Sequence, residues 1–391
     1  MIGFLLFLVA LAVFLLTLFL ALEIVASFIA AKPPGVPTAG RGRIAVVIPA
    51  HNEREGVAAT VTAARAALSE GDRVVVVADN CNDGTAAAAA EAGAEAIERR
   101  DDARRGKGYA LQFGVDHLRS DPPETVVFID ADCKPAAGAI ERVAARANYL
   151  KRPVQALYLM SAPQGAGSRS AVSAFAWLIM NRVRMSGLQQ LFGVTRLTGS
   201  GMAFPWDLIG KTDLASGEIV EDLALTIRMI EAGAPPFLDL GAVVTSELAR
   251  SQSGATTQRA RWERGSLAIA ARKVTGLFRK AAGGDIRSFA MGLDLLLPPL
   301  TLFALLIAAL LALSLAAASF GYGGALSLTI LSATIFTLCI AFAWAAYGRE
   351  TLPASALLGI IPYLLGKARV YGGEGRRSAE RWTRTDRGDG G

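Results

Sequence analysis

Histidine and cysteine are scarce in this chain. Among 391 residues there are two histidines, His51 and His117, and three cysteines, Cys81, Cys133 and Cys339, none of them in a Cys-x-x-Cys pair. That spacing argues against a zinc site or a disulfide framework. Any metal must then lean on oxygen ligands, which favours Mg2+ or Mn2+. Charge is thin as well: charged residues make up 19% and hydrophobic residues 52%. The apolar excess is too large for an ordinary soluble protein and points to membrane segments. There is no basic patch interleaved with aromatics, which sets nucleic acid aside as a partner. No strand leads into Gly-x-Gly-x-x-Gly, which disfavours a dehydrogenase. The net charge of +6 fits a protein that lies against anionic lipid heads and handles a phosphorylated substrate.

The chain divides into blocks. Residues 1–31 read as an N-terminal transmembrane anchor, because nothing from Ile2 to Leu22 is charged and a span needs roughly 20 apolar residues. A cleaved signal peptide is the competing reading, but it would want a basic start and a shorter apolar run. Lys32, Arg41 and Arg43 follow the span, so the next block is expected to face the cytoplasm. Residues 42–290 read as α/β. Apolar runs at Arg43–Ile48, Arg73–Ala78 and Val126–Ile129 look like strands buried on both faces of a mostly parallel sheet. Helices at Glu53–Leu68 and Gly106–Leu118 fit as crossovers, with ligands expected at the carboxyl ends of the strands.

Residues 291–348 hold room for two transmembrane helices, about 296–318 and 325–347, turning at Gly321, Gly323 and Gly324. Residues 349–391 read as an interfacial segment and a basic tail carrying Arg376, Arg377, Arg381, Arg384 and Arg387. Two C-terminal spans return that tail to the cytoplasm, and a third would not. The stretch Ala171–Leu191, with Arg182 and Arg184 among apolar residues, fits either a helix in the membrane plane or a buried helix of the cytoplasmic domain.

The most informative stretch is Val126-Val127-Phe128-Ile129-Asp130-Ala131-Asp132. In an extended chain the carboxylates at i and i+2 point the same way. With no basic neighbour between them they repel each other and call for a cation. A hard divalent ion bridging Asp130 and Asp132 to a diphosphate would meet that need. A solvated Asp-x-Asp loop is the bland alternative.

The first strand ends in Pro49-Ala50-His51-Asn52-Glu53, where Pro49 is expected to break the strand and Asn52 to cap the next helix. Amides there suit a base or phosphate, and His51 has no partner visible in sequence. Asp79 ends the second strand and can accept from the imide of a uracil ring, while Asp83 reads as a helix cap. In Arg105-Gly106-Lys107-Gly108 a cation between glycines can approach a phosphate.

Glu221-Asp222 precedes an amphipathic stretch, and a helix start there would favour the ionised carboxylate needed of a base. Gln258, Arg261 and Trp262 can share one helix face, Arg for phosphate oxygens and Trp for a sugar ring. A core tryptophan and an interface arginine are the alternative.

Taken together, PAHNE, ADNCNDGT, RGKG, DAD, GSG (Gly199, Ser200, Gly201), ED and QRARW resemble, in order, the membrane-anchored family 2 glycosyltransferases, the group containing cellulose, chitin and hyaluronan synthases. The likeness spans about 43–265 with the flanking anchors. It implies a GT-A fold, a nucleotide-sugar donor, a divalent cation and inversion at the anomeric carbon. It also implies donor-side roles for Pro49, His51, Asn52, Glu53, Asp79, Arg105, Lys107, Asp130 and Ala131, and metal binding by Asp130 and Asp132. Asp222 becomes the general base with Glu221 beside it. Gly199, Ser200, Gly201, Gln258, Arg261 and Trp262 fall to the diphosphate and acceptor.

The chain has Val-Glu-Asp where many relatives have Thr-Glu-Asp, and one aspartate at Asp79 where many have two. Trp382-Thr383-Arg384-Thr385 looks like the tail of bacterial relatives and would close over the site. The resulting expectation is an integral protein of a bacterial inner membrane that moves a sugar, leaning to a UDP donor, onto a lipid-linked or polysaccharide acceptor in cell-envelope glycan synthesis.

Two rivals stand beside it. A processive synthase would export a chain, and about three helices enclose a polymer channel only with a homo-oligomer or a partner export protein. A silent scaffold that binds nucleotide sugar would have lost its carboxylates, which are present.

Overall fold

The computed structural model describes residues 2–30, 33, 35, 41–249 and 252–364. Lys32 and the arginine tail with Trp382–Thr385 lie outside the described residues. The chain enters through α1 (Ile2–Ile29) and then alternates strand and helix: β1 (Ile44–Ala50), α2 (Arg54–Ala66), β2 (Arg73–Asp79), α3 (Thr85–Glu91), β3 (Glu95–Arg99), α4 (Lys107–His117), β4 (Thr125–Phe128) and β5 (Lys134–Pro135). There follow α5 (Ala139–Leu150), β6 (Val154–Ser161), α6 (Ser168–Leu178), α7 (Met185–Phe192), β7 (Met202–Pro205), α8 (Trp206–Ile209), α9 (Glu221–Glu231) and β8 (Phe237–Glu247). The long α10 (Gln252–Ala281), then α11 (Ile286–Leu296), α12 (Leu300–Ser319) and α13 (Gly324–Ala343) complete the helices described.

The eight strands form one mixed sheet in the order β3-β2-β1-β4-β7-β6-β8-β5. Its first four strands are mutually parallel, and β7 runs antiparallel between β4 and β6. The strand residues of β1, β2 and β4 are almost all buried because both faces of the sheet are covered. One face carries Ile44, Val46, Val74, Val76 and Val127 against α2 and α5, and the other carries Ala45, Val47, Val75, Val77 and Phe128 against α4. Parallel pairing brings the carboxyl ends of β1, β2 and β4 to one edge, where the loops after Ala50, Asp79 and Phe128 meet.

Pro49 does not break the first strand. It sits inside β1, opposite Val77 of β2, beyond the last β1–β4 pair at Val47 and Phe128. Its missing N–H therefore falls where the ladder to β4 has ended.

Residues 168–192 form one helical rod, α6 and α7 joined by a π-helical turn over Ile179–Arg184. Val172, Phe175, Leu178, Ile179 and Val183 are buried in the same cluster as Phe19, Leu20 and Ile24 of α1, so the rod packs as a buried helix against the N-terminal helix. The two helices touch at Gly187, where a Cβ would stand 1.8 Å from the Glu23 carbonyl oxygen. Only glycine permits that crossing.

Among the described residues, three helices are long and apolar enough to cross a membrane: Gly3–Ile29, Leu300–Ser319 and Gly324–Gly348. Side chains such as Phe4, Leu5, Val25, Leu313 and Phe342 stand exposed on them. Among the described residues, the apolar helix at Ala354–Leu364 falls short of the length of a span.

Candidate active site

The loops at the carboxyl edge of the sheet, the start of α9, the rod and α10 enclose a cavity of about 560 Å³. At one end lie Pro49, His51, Glu53 and Asp79, and at the centre Lys107, Asp130, Asp132, Glu221 and Asp222. Gln258, Arg261 and Trp262 line its wall.

The nucleotide-sized end is built by cross-ties between the loops after β1 and β2. His51 Nδ1 lies 2.7 Å from the Asp79 carbonyl, which can only accept, so Nδ1 carries the hydrogen. Asn52 does not cap α2; Glu53 holds the N-cap position without a side-chain bond. Asn52 instead adopts a left-handed φ of 54° and its Oδ1 accepts the Asn82 N–H at 2.9 Å. Asp83 stands one residue before the N-cap Gly84 and accepts the N–H of Thr85 and of Arg54, tying α3 to α2. Asp79 is paired to Arg99 at 2.6 Å. Burial nevertheless raises its carboxyl above the usual range, against the pull of Arg99. Sequence reasoning missed Arg99; its signal was a cation at the carboxyl end of β3, beside Asp79.

The two aspartates after β4 do not stand on an extended strand. β4 ends at Phe128, and Asp130 to Cys133 form a turn closed by the Cys133 N–H on the Asp130 carbonyl at 3.0 Å. The turn still gathers ligand atoms of Asp130, Asp132 and Cys133 within 4.8 Å of one another. Cys133 is fully buried, and burial and the two carboxylates push its thiol well up, so it stays protonated and the carboxylates remain as donors. Two carboxylates on a turn fit a hard divalent cation.

A basic neighbour is present, contrary to expectation. Lys107 Nζ lies 2.5 Å from Asp130 Oδ1 and 3.7 Å from Glu221 Oε1, and donates to the Gly199 carbonyl at 2.7 Å. Burial opposes its charge, but Asp130 and Glu221 outweigh burial and hold the ammonium above its ordinary value.

Gly199, at φ +87°, marks where these groups meet. A Cβ built there would lie 3.2 Å from Lys107 Nζ, 3.4 Å from Asp222 Oδ2 and 3.9 Å from Asp130 Oδ2. Three charged groups from three separate segments thus ring a single point. Ser200 and Gly201 sit behind it: Ser200 Oγ accepts the Asp130 N–H at 3.1 Å, and the Gly201 N–H donates to Phe128. They brace the aspartate turn and do not line the cavity, whereas Gly199 does.

Asp222 opens α9, yet the helix start does not keep it acidic. Burial first, and then the Glu221 carboxylate, push it up to about 7. Asp130 is pushed up to about 6 by burial, with Lys107 pulling down and Asp132 pushing up. At the α10 wall, Trp262 packs at a tilt against Trp177 of the rod with ring centroids 5.1 Å apart, and Trp177 meets Tyr158 edge-on at 5.4 Å. Asn181 Oδ1 and Gln258 Oε1 are buried in this wall without hydrogen-bond partners among the described residues. A polyhydroxyl ligand would satisfy both. Trp177 and Asn181 carried no motif that would have flagged them. Arg105 lines the cavity rim and is paired to Asp102. Ala131 lines the centre.

Residues 45–170, less than half of the chain, match the family model described as glycosyl transferase family 2. No curated protein sequence matches the chain. Among solved structures, a mannosyltransferase from Pyrobaculum calidifontis, in complex with GDP-Man and Mn2+, superposes with a TM-score of 0.54 at 18% identity, covering 87% of this chain and 99% of that one. Mannosyl-3-phosphoglycerate synthase from Rubrobacter xylanophilus matches at 22% identity and TM-score 0.40, covering 61% and 78% of the two chains. Glucosyl-3-phosphoglycerate synthase from Mycobacterium tuberculosis, with Mn2+, UDP and product, matches at 18% and 0.40, covering 60% and 86%. The family match and the first superposition establish a GT-A fold with a mixed, mostly parallel sheet.

Proposed function

We propose that the chain is a metal-dependent, inverting glycosyltransferase that takes a sugar from a nucleoside-diphosphate donor at a membrane surface. The observation that carries this reading is the ring of Lys107, Asp130 and Asp222 around Gly199, inside the cavity that also holds the His51–Asp79 end. In this reading the base lies against the loops after β1 and β2, with Asp79 and His51 at its edge. Arg105 and Lys107 face the diphosphate. Asp130 and Asp132 would hold Mg2+ or Mn2+, which would supply positive charge to offset the negative charge on the departing diphosphate. The glycosyl transferase family 2 match over residues 45–170 supports the donor class, and the GDP-Man and Mn2+ of the P. calidifontis structure support the cofactor class.

Asp222 takes the proton from the acceptor hydroxyl as its oxygen bonds the anomeric carbon, on the face opposite the breaking carbon–oxygen bond. The electron pair of that bond leaves with the nucleoside diphosphate. The Trp262–Trp177 platform, with Asn181 and Gln258 beside it, holds a lipid-linked or polysaccharide acceptor. The three span-length helices support an integral membrane setting. Basic Arg41 and Arg43 after α1 support a cytoplasmic catalytic domain in a bacterial inner membrane.

The test is turnover of radiolabelled UDP- and GDP-sugars by native membranes, with and without EDTA, beside an Asp222→Asn control. Nucleotide-sugar binding with no turnover under any donor would replace this reading with that of a silent scaffold. Product length separates single addition from processive synthesis.

A further inference from the structure

The cavity does not end at the sugar platform. Its lining also includes Arg196 and an apolar arm made of Met180, Met185, Leu295, Leu297, Leu300 and Tyr363. Leu300 is the first residue of α12, a helix long enough to span a membrane. The apolar lining therefore includes the start of a helix that could enter a bilayer.

Arg196 stands at the junction between the polar centre and this apolar arm. Its Nε donates to Asp294 Oδ2 and its Nη2 to the Asp294 carbonyl at 3.0 Å. Asp294 Oδ1 in turn accepts from Arg184 Nη2 at 2.6 Å, and Arg184 Nε donates to Glu23 Oε2 at 2.7 Å. Arg184, Glu23 and Asp294 are buried. This chain of four charges ties α1, the rod and α11 to the segment that leads into Gly199. It leaves Arg196 Nη1 without a hydrogen bond to any described residue, on a side chain that lines the cavity. A planar guanidinium fixed on one edge, with amino hydrogens left over, is suited to a phosphate oxygen. In the transferase reading Arg105 and Lys107 face the donor diphosphate, so an anion at Arg196 is assigned to the second substrate.

We infer that the acceptor is an amphiphile carrying a phosphate, that Arg196 holds this phosphate, and that the hydrocarbon lies in the arm between the rod and the start of α12. This rests on the transferase reading above and names its acceptor class. Leu197 follows Arg196 directly, and its N–H is bound to Thr226 Oγ1 at 2.8 Å; that hydroxyl also donates to the Asp222 carbonyl at 2.9 Å. Those two bonds link the residue after Arg196 to the helix start that carries the base.

The experiment uses the full chain in nanodiscs and measures equilibrium binding of decyl phosphate, decanol and inorganic phosphate. Decyl phosphate should bind about ten-fold more tightly than either of the others. Arg196→Gln should remove that advantage over decanol. Leu300→Trp, which fills the arm, should weaken decyl phosphate by about ten-fold while nucleoside-diphosphate binding with Mn2+ is retained. Nucleotide binding also reports whether Arg196→Gln is folded; if it is not, Leu300→Trp decides. Equal binding of decanol and decyl phosphate, equal binding of free phosphate, or an unaffected Leu300→Trp variant overturns the inference. Failure of the wild type to bind any nucleoside diphosphate overturns the transferase reading instead, so the two failures are distinguishable.

Discussion

Lys107 Nζ stands 2.5 Å from Asp130 Oδ1, an internal cation seated on one of the two carboxylates assigned to the metal. The lysine offsets the repulsion between Asp130, Asp132, Glu221 and Asp222 when no divalent ion is bound. It also competes with the ion for Asp130. Lys107→Met should therefore bind Mn2+ alone about ten-fold more tightly, since the local charge falls by one, yet bind a nucleoside diphosphate with Mn2+ more weakly. Manganese paramagnetic resonance titrations measure both. Unchanged Mn2+ affinity would mean that Lys107 does not compete for the site.

Asp132 carries the complementary expectation. Asp132→Ala removes one of two oxygen donors and leaves Asp130 paired to Lys107. Nucleotide binding should lose most of its Mn2+ dependence, with affinity in Mn2+ falling by about ten-fold or more. Calorimetry with and without EDTA reads the difference, and an unaltered metal dependence would remove Asp132 from the metal site.

Asp222→Asn keeps the shape and hydrogen-bonding capacity of the side chain but cannot accept the acceptor's proton. The turnover rate should fall by about 10²- to 10⁴-fold while nucleoside-diphosphate affinity stays close to wild type. Rapid turnover by the variant would exclude Asp222 as the base.

Much of this site was legible in the residues. Val126–Ile129 running into two aspartates marks a buried strand that ends at a ligand edge, because only a strand covered on both faces tolerates such a run. Lys107 was placed near phosphate, but its contact with Asp130 was not foreseen, because it depends on how α4 packs across β1 and β2. Asn52 and Asp83 were both read as caps, since capping propensity reports local preference. Asn52 is drawn off by the neighbouring loop, which is a tertiary effect. Arg196 and Asp294 are separated by 98 residues, and neither sits in a recognisable motif. The protonation of Asp222 was read with the wrong sign because a helix start was weighed without burial or the Glu221 charge, and those outweigh it.

That raised carboxyl has a pH signature. A base acts only when deprotonated, so activity should be low below pH 6, rise through about 7 and level off above 8. The apparent value is that of Asp222 as it couples to its charged surroundings. Stability runs the other way. A folded-state value of about 7 against 3.8 unfolded means that the native state holds the extra proton between these limits, so stability declines as pH rises from about 4 to 7. Asp222→Asn should reduce that decline and raise the melting temperature of the metal-free protein at pH 8 but not at pH 4, with the raised Asp130 carboxyl leaving a residual slope. Parallel melting curves for wild type and variant would reject the shift.

Glu23 tests whether the membrane helix and the catalytic domain are one cooperative unit. Its carboxylate is fully buried on α1, 2.7 Å from Arg184 of the rod, beside the Gly187 crossing. Removing one partner of a buried pair leaves the other charge uncompensated, so Glu23→Ala should cost about 3–5 kcal/mol. Replacing both partners, Glu23→Leu with Arg184→Met, trades the pair for apolar packing and should recover part of that loss, although Asp294 would then keep only Arg196. Gly187→Ala should also destabilise, because its methyl group would collide with the Glu23 carbonyl and force α1 away from the rod. If the helices were merely adjacent, these variants would melt like wild type in detergent. If they are one unit, Gly187→Ala should also weaken nucleotide binding without touching any residue of the cavity.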